Sequence, residues 1–129
     1  MQRTIKKAVG ISGVGLHTGC QVKLKLKPAP ANTGIIFRRV DLQKFEIEAI
    51  RDRVSRVVLA TTLMKKGVML STVEHLLSAL YGIGLDNVYI DIDSLEVPIL
   101  DGSALPFVKM VKKAGIQEQN KKRTYLKVT

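Results

Sequence analysis

Two short stretches in which apolar and polar residues alternate strictly constrain the fold more than any other feature. In Gln21–Lys27 three aliphatic residues alternate with lysines, and Val88–Asp93 alternates aliphatic residues with a tyrosine and two aspartates. Because successive side chains of a strand point to opposite faces, each stretch predicts a strand with one buried face and one wet face. Strands of this kind belong to a largely antiparallel or mixed sheet.

Other parts of the chain predict shorter strands. The first alternating strand should end at Pro28, since proline cannot donate to the hydrogen-bonded ladder. The further strands are predicted at Ile5–Val9, Ile35–Arg38, Glu46–Ala49, Leu59–Met64 and Thr124–Val128.

A first amphipathic helix is predicted from Val73 to Tyr81, where apolar residues recur at helical spacing. The preceding Ser71-Thr72-Val73-Glu74 has the S-x-x-E pattern of a capping box, and Gly82 or Gly84 should end the helix. The capping box alone explains a glutamate at position 74.

A second amphipathic helix is predicted after Ser103, a plausible N-cap, with Pro106 in the first turn and Gly115 at the end. A sheet with one apolar face and two amphipathic helices predicts an α+β fold. We expect a two-layer sandwich in which one mainly antiparallel or mixed sheet is covered on one face by both helices.

Length and composition indicate an ordinary globular chain. Its 129 residues, 46% hydrophobic and 25% charged, suit a single domain over residues 1–129 and exclude a disordered chain. No apolar stretch approaches the ~18 residues of a transmembrane helix, and the N-terminus lacks the apolar core of a signal peptide. The single cysteine, Cys20, is interpreted as structural and suits a reducing cytosol, so a cytoplasmic location is expected.

The net charge of +10 is unevenly distributed: residues 1–40 carry +8, residues 41–108 carry −4, and residues 109–129 carry +6. Such a surface is either simply solubilising or attracts nucleic acid, anionic lipid or a phosphorylated small molecule. A small basic RNA-binding domain is therefore an alternative hypothesis. Only six residues are Phe or Tyr and none is Trp, which leaves few stacking platforms for single-stranded RNA.

The glycine-rich stretch Gly13–Gly19 does not match a phosphate-binding loop. It lacks a Gly-Lys-Ser/Thr sequence, and a lysine-rich strand follows it instead of a helix. We interpret it as a glycine turn between strands, in which His17 is a structural, hydrogen-bonding residue. Further along, Glu96–Ser103 predicts an extended segment running into a turn that Asp101 orients by accepting backbone hydrogen bonds.

The adjacent Glu74 and His75 are the candidate chemical residues. On a helical wheel, Glu74 lies at the edge of the apolar stripe and His75 points away from it. His75 is then either an ordinary exposed histidine or a metal ligand. A catalytic zinc site needs about three protein ligands, and the two histidines of the chain are too few for a site of three imidazoles.

Seven segments in order resemble the N-terminal half of UDP-3-O-acyl-N-acetylglucosamine deacetylase, the zinc hydrolase of bacterial lipid A synthesis. They are QRTIK at 2–6, GVGLHTG at 13–19, LKPAPANTGIIFRR at 26–39, STVEHLLSAL at 71–80, GLDN at 84–87, EVPILDGSALPFV at 96–108 and AGIQE at 114–118. This resemblance implies that Glu74 is the general base, that His75 is a zinc ligand, and that Leu59, Ala60 and Thr61 line the substrate site. The implied reaction hydrolyses the N-acetyl group of UDP-3-O-(3-hydroxyacyl)-N-acetylglucosamine and releases acetate.

The family has a second domain that supplies the remaining zinc ligands, the general acid and much of the acyl-chain passage. This sequence ends at Thr129 without it. The resemblance therefore implies an incomplete site, in a fragment of a longer enzyme or in a truncated, non-catalytic relative. The implied partners are the UDP-sugar substrate and the absent C-terminal domain, with no nucleic acid.

Overall fold

The chain is described here from a computed structural model that covers residues 1–50, 53–57 and 60–123. The strands are β1 (Arg3–Ile5), β2 (Val9–Val14), β3 (Gln21–Pro28), β4 (Ile35–Arg39), β5 (Phe45–Glu48), β6 (Val54–Val57), β7 (Ala60–Lys65), β8 (Val68–Ser71), β9 (Val88–Ile92) and β10 (Ile116–Glu118). The helices are α1 (Glu74–Ile83) and α2 (Leu105–Ala114), and a 3-10 turn covers Val40–Leu42.

A five-stranded sheet in the order β2-β3-β9-β4-β5 forms the main layer. Strand β4 runs parallel to β9 and the other pairs are antiparallel, so the predicted mixed sheet is confirmed. The two alternating stretches are neighbours, with Leu24 opposite Ile92 and Leu26 opposite Ile90. These four aliphatic side chains are buried, whereas Lys23 and Lys25 on the other face are exposed. The alternation in the sequence therefore identifies the core face correctly.

Both helices bury their apolar sides in the same core as this sheet face. Leu76 and Leu80 of α1 and Phe107 and Val111 of α2 are fully buried in one cluster with the aliphatic residues of β3 and β9. The helices also contact each other, and α2 contacts β2. The predicted α+β fold, a sheet packed against two helices, is confirmed.

Two smaller sheets extend this core. Strand β1 pairs with β10, and strands β6, β7 and β8 form an antiparallel meander that leads directly into α1. The single strand predicted at Ile5–Val9 is wrong, because the chain bends at Lys6 and Lys7 and its two ends join different sheets. The predictions at Leu59 and Thr124–Val128 lie outside the described residues.

The helix ends follow the glycines. At the end of α1, Gly84 is left-handed with φ 82°, and its N–H donates to the carbonyls of Leu80 and Tyr81. The N-cap position of α2 is Ala104, one residue beyond the predicted Ser103, although Ser103 Oγ still accepts a 3.3 Å hydrogen bond from the N–H of Leu105. In the described parts of the chain, no helix has the length and apolar character needed to cross a bilayer.

Candidate functional site

The meander and the start of α1 bring the candidate residues together. Thr62 of β7 lies opposite Ser71 of β8, and the carbonyl of Thr61 accepts a 3.4 Å hydrogen bond from the N–H of Val73. The middle of β7 therefore lies beside the first turn of the helix. Glu74 and His75 are the first two residues of α1, so they directly follow the residue that contacts Thr61.

The capping box predicted for α1 is not formed. Ser71 belongs to β8, and the N-cap position is taken by Val73, which provides no side-chain cap. The physical reason is the path of the chain, which reverses at Thr72 with a left-handed φ of 61° before the helix begins. Both backbone groups of Ser71 are hydrogen-bonded to another segment. Its N–H donates to the carbonyl of Leu95 at 2.7 Å, and its carbonyl accepts from the N–H of Val97 at 3.0 Å. Glu74 thus occupies this position without serving in a capping box.

Glu74 has a carboxylate oxygen that the fold buries without a partner. Its Oε2 atom is inaccessible to solvent and, among the described residues, forms no hydrogen bond. A buried carboxylate oxygen without a partner is unfavourable, so each case calls for an explanation such as catalysis or an ion. The helix N-terminus beside it favours a negative charge. His75 is the next residue and is half-buried.

The predicted substrate-lining residues are only partly described. Thr61 is half-buried and adjoins α1 through its carbonyl group, while Ala60 lies in β7 opposite Val57. Leu59 is outside the described residues. The neighbouring Thr62, which the sequence analysis did not select, is fully buried, and its Oγ1 has no hydrogen-bond partner in the described part of the chain. No sequence signal distinguishes it from Thr61.

Glu96 is a functional candidate that the sequence analysis missed. Its side chain is 0% exposed and accepts hydrogen bonds from the N–H of His17 at 2.9 Å, the N–H of Thr18 at 3.0 Å and the hydroxyl of Thr72 at 3.2 Å. Burial raises the pKa of Glu96, but these hydrogen bonds outweigh it and hold the pKa below its usual value. One sequence feature could have pointed to Glu96: it is a carboxylate within the otherwise apolar run Leu95–Leu100. A carboxylate buried in such a run needs hydrogen-bond partners.

The glycine-rich stretch is the predicted turn between strands. Strands β2 and β3 pair antiparallel up to Val14 opposite Gln21, and the loop between them folds onto Glu96. His17 has the predicted structural role, with its Nδ1 atom 2.9 Å from Glu96 Oε1. Position 15 needs a glycine because the Glu96 carboxylate lies very close to its backbone: a Cβ there would be 2.7 Å from Glu96 Oε2.

The turn before α2 is also as predicted. Asp101 Oδ1 accepts hydrogen bonds from the N–H of Ser103 at 2.9 Å and from its hydroxyl at 2.7 Å. The hydroxyl contact is the main cause of the lowered pKa of Asp101.

Cys20 is exposed and forms no disulfide bond in the described structure. In residues 1–50, 53–57 and 60–123 no group of three or more His, Cys, Asp and Glu residues is placed to hold a metal.

Comparison with known proteins identifies the family. The sequence profile described as LpxC, UDP-3-O-acyl N-acetylglycosamine deacetylase, matches residues 2–129, and the chain belongs to this family. A UDP-3-O-acyl-N-acetylglucosamine deacetylase of Solibacter usitatus is 54% identical over 127 residues, which cover 98% of this chain and 43% of the relative. Proteins of the same description from Legionella pneumophila and Marinobacter nauticus are 54% and 51% identical over 128 residues, with 42% of each relative covered. The chain therefore spans less than half the length of the curated relatives it matches.

Proposed function

We propose that this chain supplies the general base and one zinc ligand of a zinc-dependent deacetylase. The substrate is UDP-3-O-(3-hydroxyacyl)-N-acetylglucosamine, whose N-acetyl group is hydrolysed to acetate in lipid A synthesis. The names of the relatives support the substrate class and the deacetylation. The structural observation that carries the proposal is Glu74 Oε2, a buried oxygen without a partner in the described residues, at the first position of α1.

The residues present fit a partial zinc site. Zinc in proteins takes imidazole nitrogen, thiolate sulfur and carboxylate oxygen, and a catalytic site uses about three protein ligands. His75 supplies one imidazole, and no set of three ligands exists within the described residues. Because the chain covers 42–43% of its relatives, we propose that a second domain supplies the other ligands and that the isolated chain is inactive.

Within this proposal Glu74 acts on the attacking water. Its carboxylate accepts one proton of the water as the water oxygen bonds to the acetamide carbon. The C–N bond then breaks as the nitrogen takes up a proton from the general acid that we propose in the second domain, which releases acetate and the 2-amino sugar. Zinc, when bound, supplies a Lewis acid that lowers the pKa of water and polarises a carbonyl group. Glu74 is the first residue of α1, where the positive end of the helix dipole favours a negatively charged side chain.

The strand beside the helix completes this chain's contribution. We assign the substrate-lining role to Leu59, Ala60 and Thr61, and the support for it is the Thr61 carbonyl, which bonds the N–H of Val73 next to Glu74. The charge of +10 suits a ligand that carries a diphosphate. A nucleotide-sugar substrate is also consistent with the cytoplasmic location that we propose.

The metal ligand is tested by substituting His75 in the complete protein, which contains this chain and the second domain. H75A should lose most of its zinc, measured by metal analysis after dialysis, because one of about three protein ligands is removed. The matched control is H17A, which removes the other histidine of the chain and should retain zinc, since His17 bonds Glu96. Full zinc content in H75A would overturn the assignment.

A further inference from the structure

Glu96 joins three separate segments beside the candidate base. Its own segment lies against β8, where Ser71 pairs with Glu96 in a parallel bridge. From there its carboxylate reaches Thr72 in the turn before α1, and His17 and Thr18 in the loop between β2 and β3. All four hydrogen bonds end on one fully buried carboxylate, so these segments share one anchor.

The contact with Thr72 has a direct consequence for α1. Thr72 is 3% exposed and has a φ of 61°, a left-handed conformation that is costly for a β-branched residue. A conformation of this kind persists only where its surroundings hold it, and the hydroxyl of Thr72 donates to Glu96 Oε1 at 3.2 Å. Glu74 is two residues further on, so the geometry of this turn determines where its carboxylate points.

The loop contacts explain why a carboxylate is needed. Oε1 accepts from the N–H of His17 and the hydroxyl of Thr72, and Oε2 accepts from the N–H of Thr18. An amide has one accepting oxygen, and its NH₂ group faces a donor whichever way it is turned. Glutamine is nearly the same size as glutamate but cannot satisfy these donors together.

We propose that Glu96 is a positioning residue of the deacetylase, acting through the Thr72 hydroxyl to hold Glu74 in place. The proposal rests on the proposed function, because it takes Glu74 as the base. The two sets of hydrogen bonds made by Glu96 have different roles. The bonds from His17 and Thr18 hold the carboxylate in place, and the bond from Thr72 fixes the turn that leads into α1. Misplacement of a catalytic group by about 1 Å is enough to lower turnover strongly.

The test is steady-state deacetylation by the complete protein, with kcat normalised to bound zinc. E96Q and T72V should each lower kcat on the order of 10- to 100-fold with nearly unchanged KM, as for other residues that orient a catalytic group. T72S, which keeps the hydroxyl, should restore most of the turnover. Because the two residues act through one hydrogen bond, T72V should add little to the loss in E96Q.

The matched control is S71A, which removes a buried hydroxyl one residue earlier that bonds Leu95 rather than Glu96. It should keep kcat close to the unsubstituted protein. An equal loss in S71A, or a loss in E96Q without one in T72V, overturns the route through Thr72. If E96Q fails to fold, T72V against T72S still decides the proposal.

A parallel E74Q variant separates this proposal from the proposed function. If E74Q loses turnover while E96Q and T72V keep it, the positioning role is wrong and Glu74 remains the base. If E74Q itself keeps turnover, the proposed function fails, because the group that Glu96 would position is not needed.

Discussion

At the scale of single residues, the turn at Thr72 decides how Glu74 is interpreted. A capping box would have given the carboxylate a structural partner, the N-cap backbone N–H. The left-handed Thr72 instead leaves Ser71 in β8, and Oε2 of Glu74 stays buried with no hydrogen bond to the described residues. This geometry removes the structural explanation for Glu74 and favours a chemical one.

Gly84 is the residue whose backbone freedom α1 needs most. We expect G84A to lower the free energy of unfolding by about 1–2 kcal/mol, because Gly84 has φ 82° and alanine is strained there. The matched control is G82A, in the last turn of the same helix, where a Cβ has no neighbour within 4 Å. Alanine at position 82 should stabilise the chain by up to about 1 kcal/mol through its helix propensity. Chemical denaturation measures both, and equal effects of the two substitutions would contradict this interpretation.

The role of a residue could be predicted from the sequence where that role depends on residues next to it in the chain. The adjacency of Glu74 and His75 and the turn at Asp101 were visible in this way, and the structure confirms the hydrogen bonds of Asp101. Glu96 was not found, because its partners are 24 to 79 residues away in the sequence. Position alone could not show that Thr72 adopts a left-handed turn, which depends on the pairing of Ser71 with a distant segment.

At the scale of elements, the meander that leads into α1 is joined to the main sheet by an ion-pair cluster. Glu48 of β5 accepts hydrogen bonds from Lys65 of β7 at 2.8 Å and from Arg53 at 3.2 Å. The contact with Lys65 is the main cause that lowers the pKa of Glu48 to about 2. This pair therefore helps to hold β7, and with it the candidate site, against the sheet.

Acid should weaken this connection over a definite pH range. The pKa of Glu48 is lower in the folded chain than its ordinary 4.5, so the stabilisation is present above pH 4.5 and disappears as the pH falls towards 2. E48Q should lower the free energy of unfolding at neutral pH by about 1 kcal/mol, the size typical of exposed ion pairs. Denaturation of both chains across this range should show the difference vanish at the acid end. E46Q, on the exposed side of the same strand, is the control, and a pH-independent difference for E48Q would contradict the assignment.

The sequence predicted elements best where burial alternates cleanly. Strand β3 was predicted within one residue, because it has one face in the core and one in water. Strand β9 was also predicted within one residue, although Asp91 on its outward face is buried by ion pairs with Lys27 and Arg38. Strand β2 was missed because Gly10, Ser12 and Gly13 interrupt its apolar pattern. The short strand β10 was missed as well, since its three residues gain their structure from pairing with β1.

At the scale of the whole molecule, the uneven charge is partly neutralised within the fold. Asp91 of β9 pairs with Arg38 at 2.6 Å and with Lys27 at 2.8 Å, so the lysine-lined face of β3 is not uniformly basic. This pairing weakens the case for a continuous RNA-binding surface. Family membership over residues 2–129 favours the deacetylase instead, and coverage of 42–43% of the relatives agrees with a site completed by another domain.

The most direct test of the central claim is the turnover of E74Q in the complete protein, measured as acetate release per bound zinc. Glutamine keeps the size of Glu74 but cannot accept the proton of the attacking water, so kcat should fall by about 10²- to 10⁴-fold, the usual contribution of general base catalysis. Zinc content should remain that of the unsubstituted protein, because His75 is the metal ligand proposed from this chain. Turnover within a few-fold of the unsubstituted protein, with zinc bound, would contradict the assignment of Glu74 as the base.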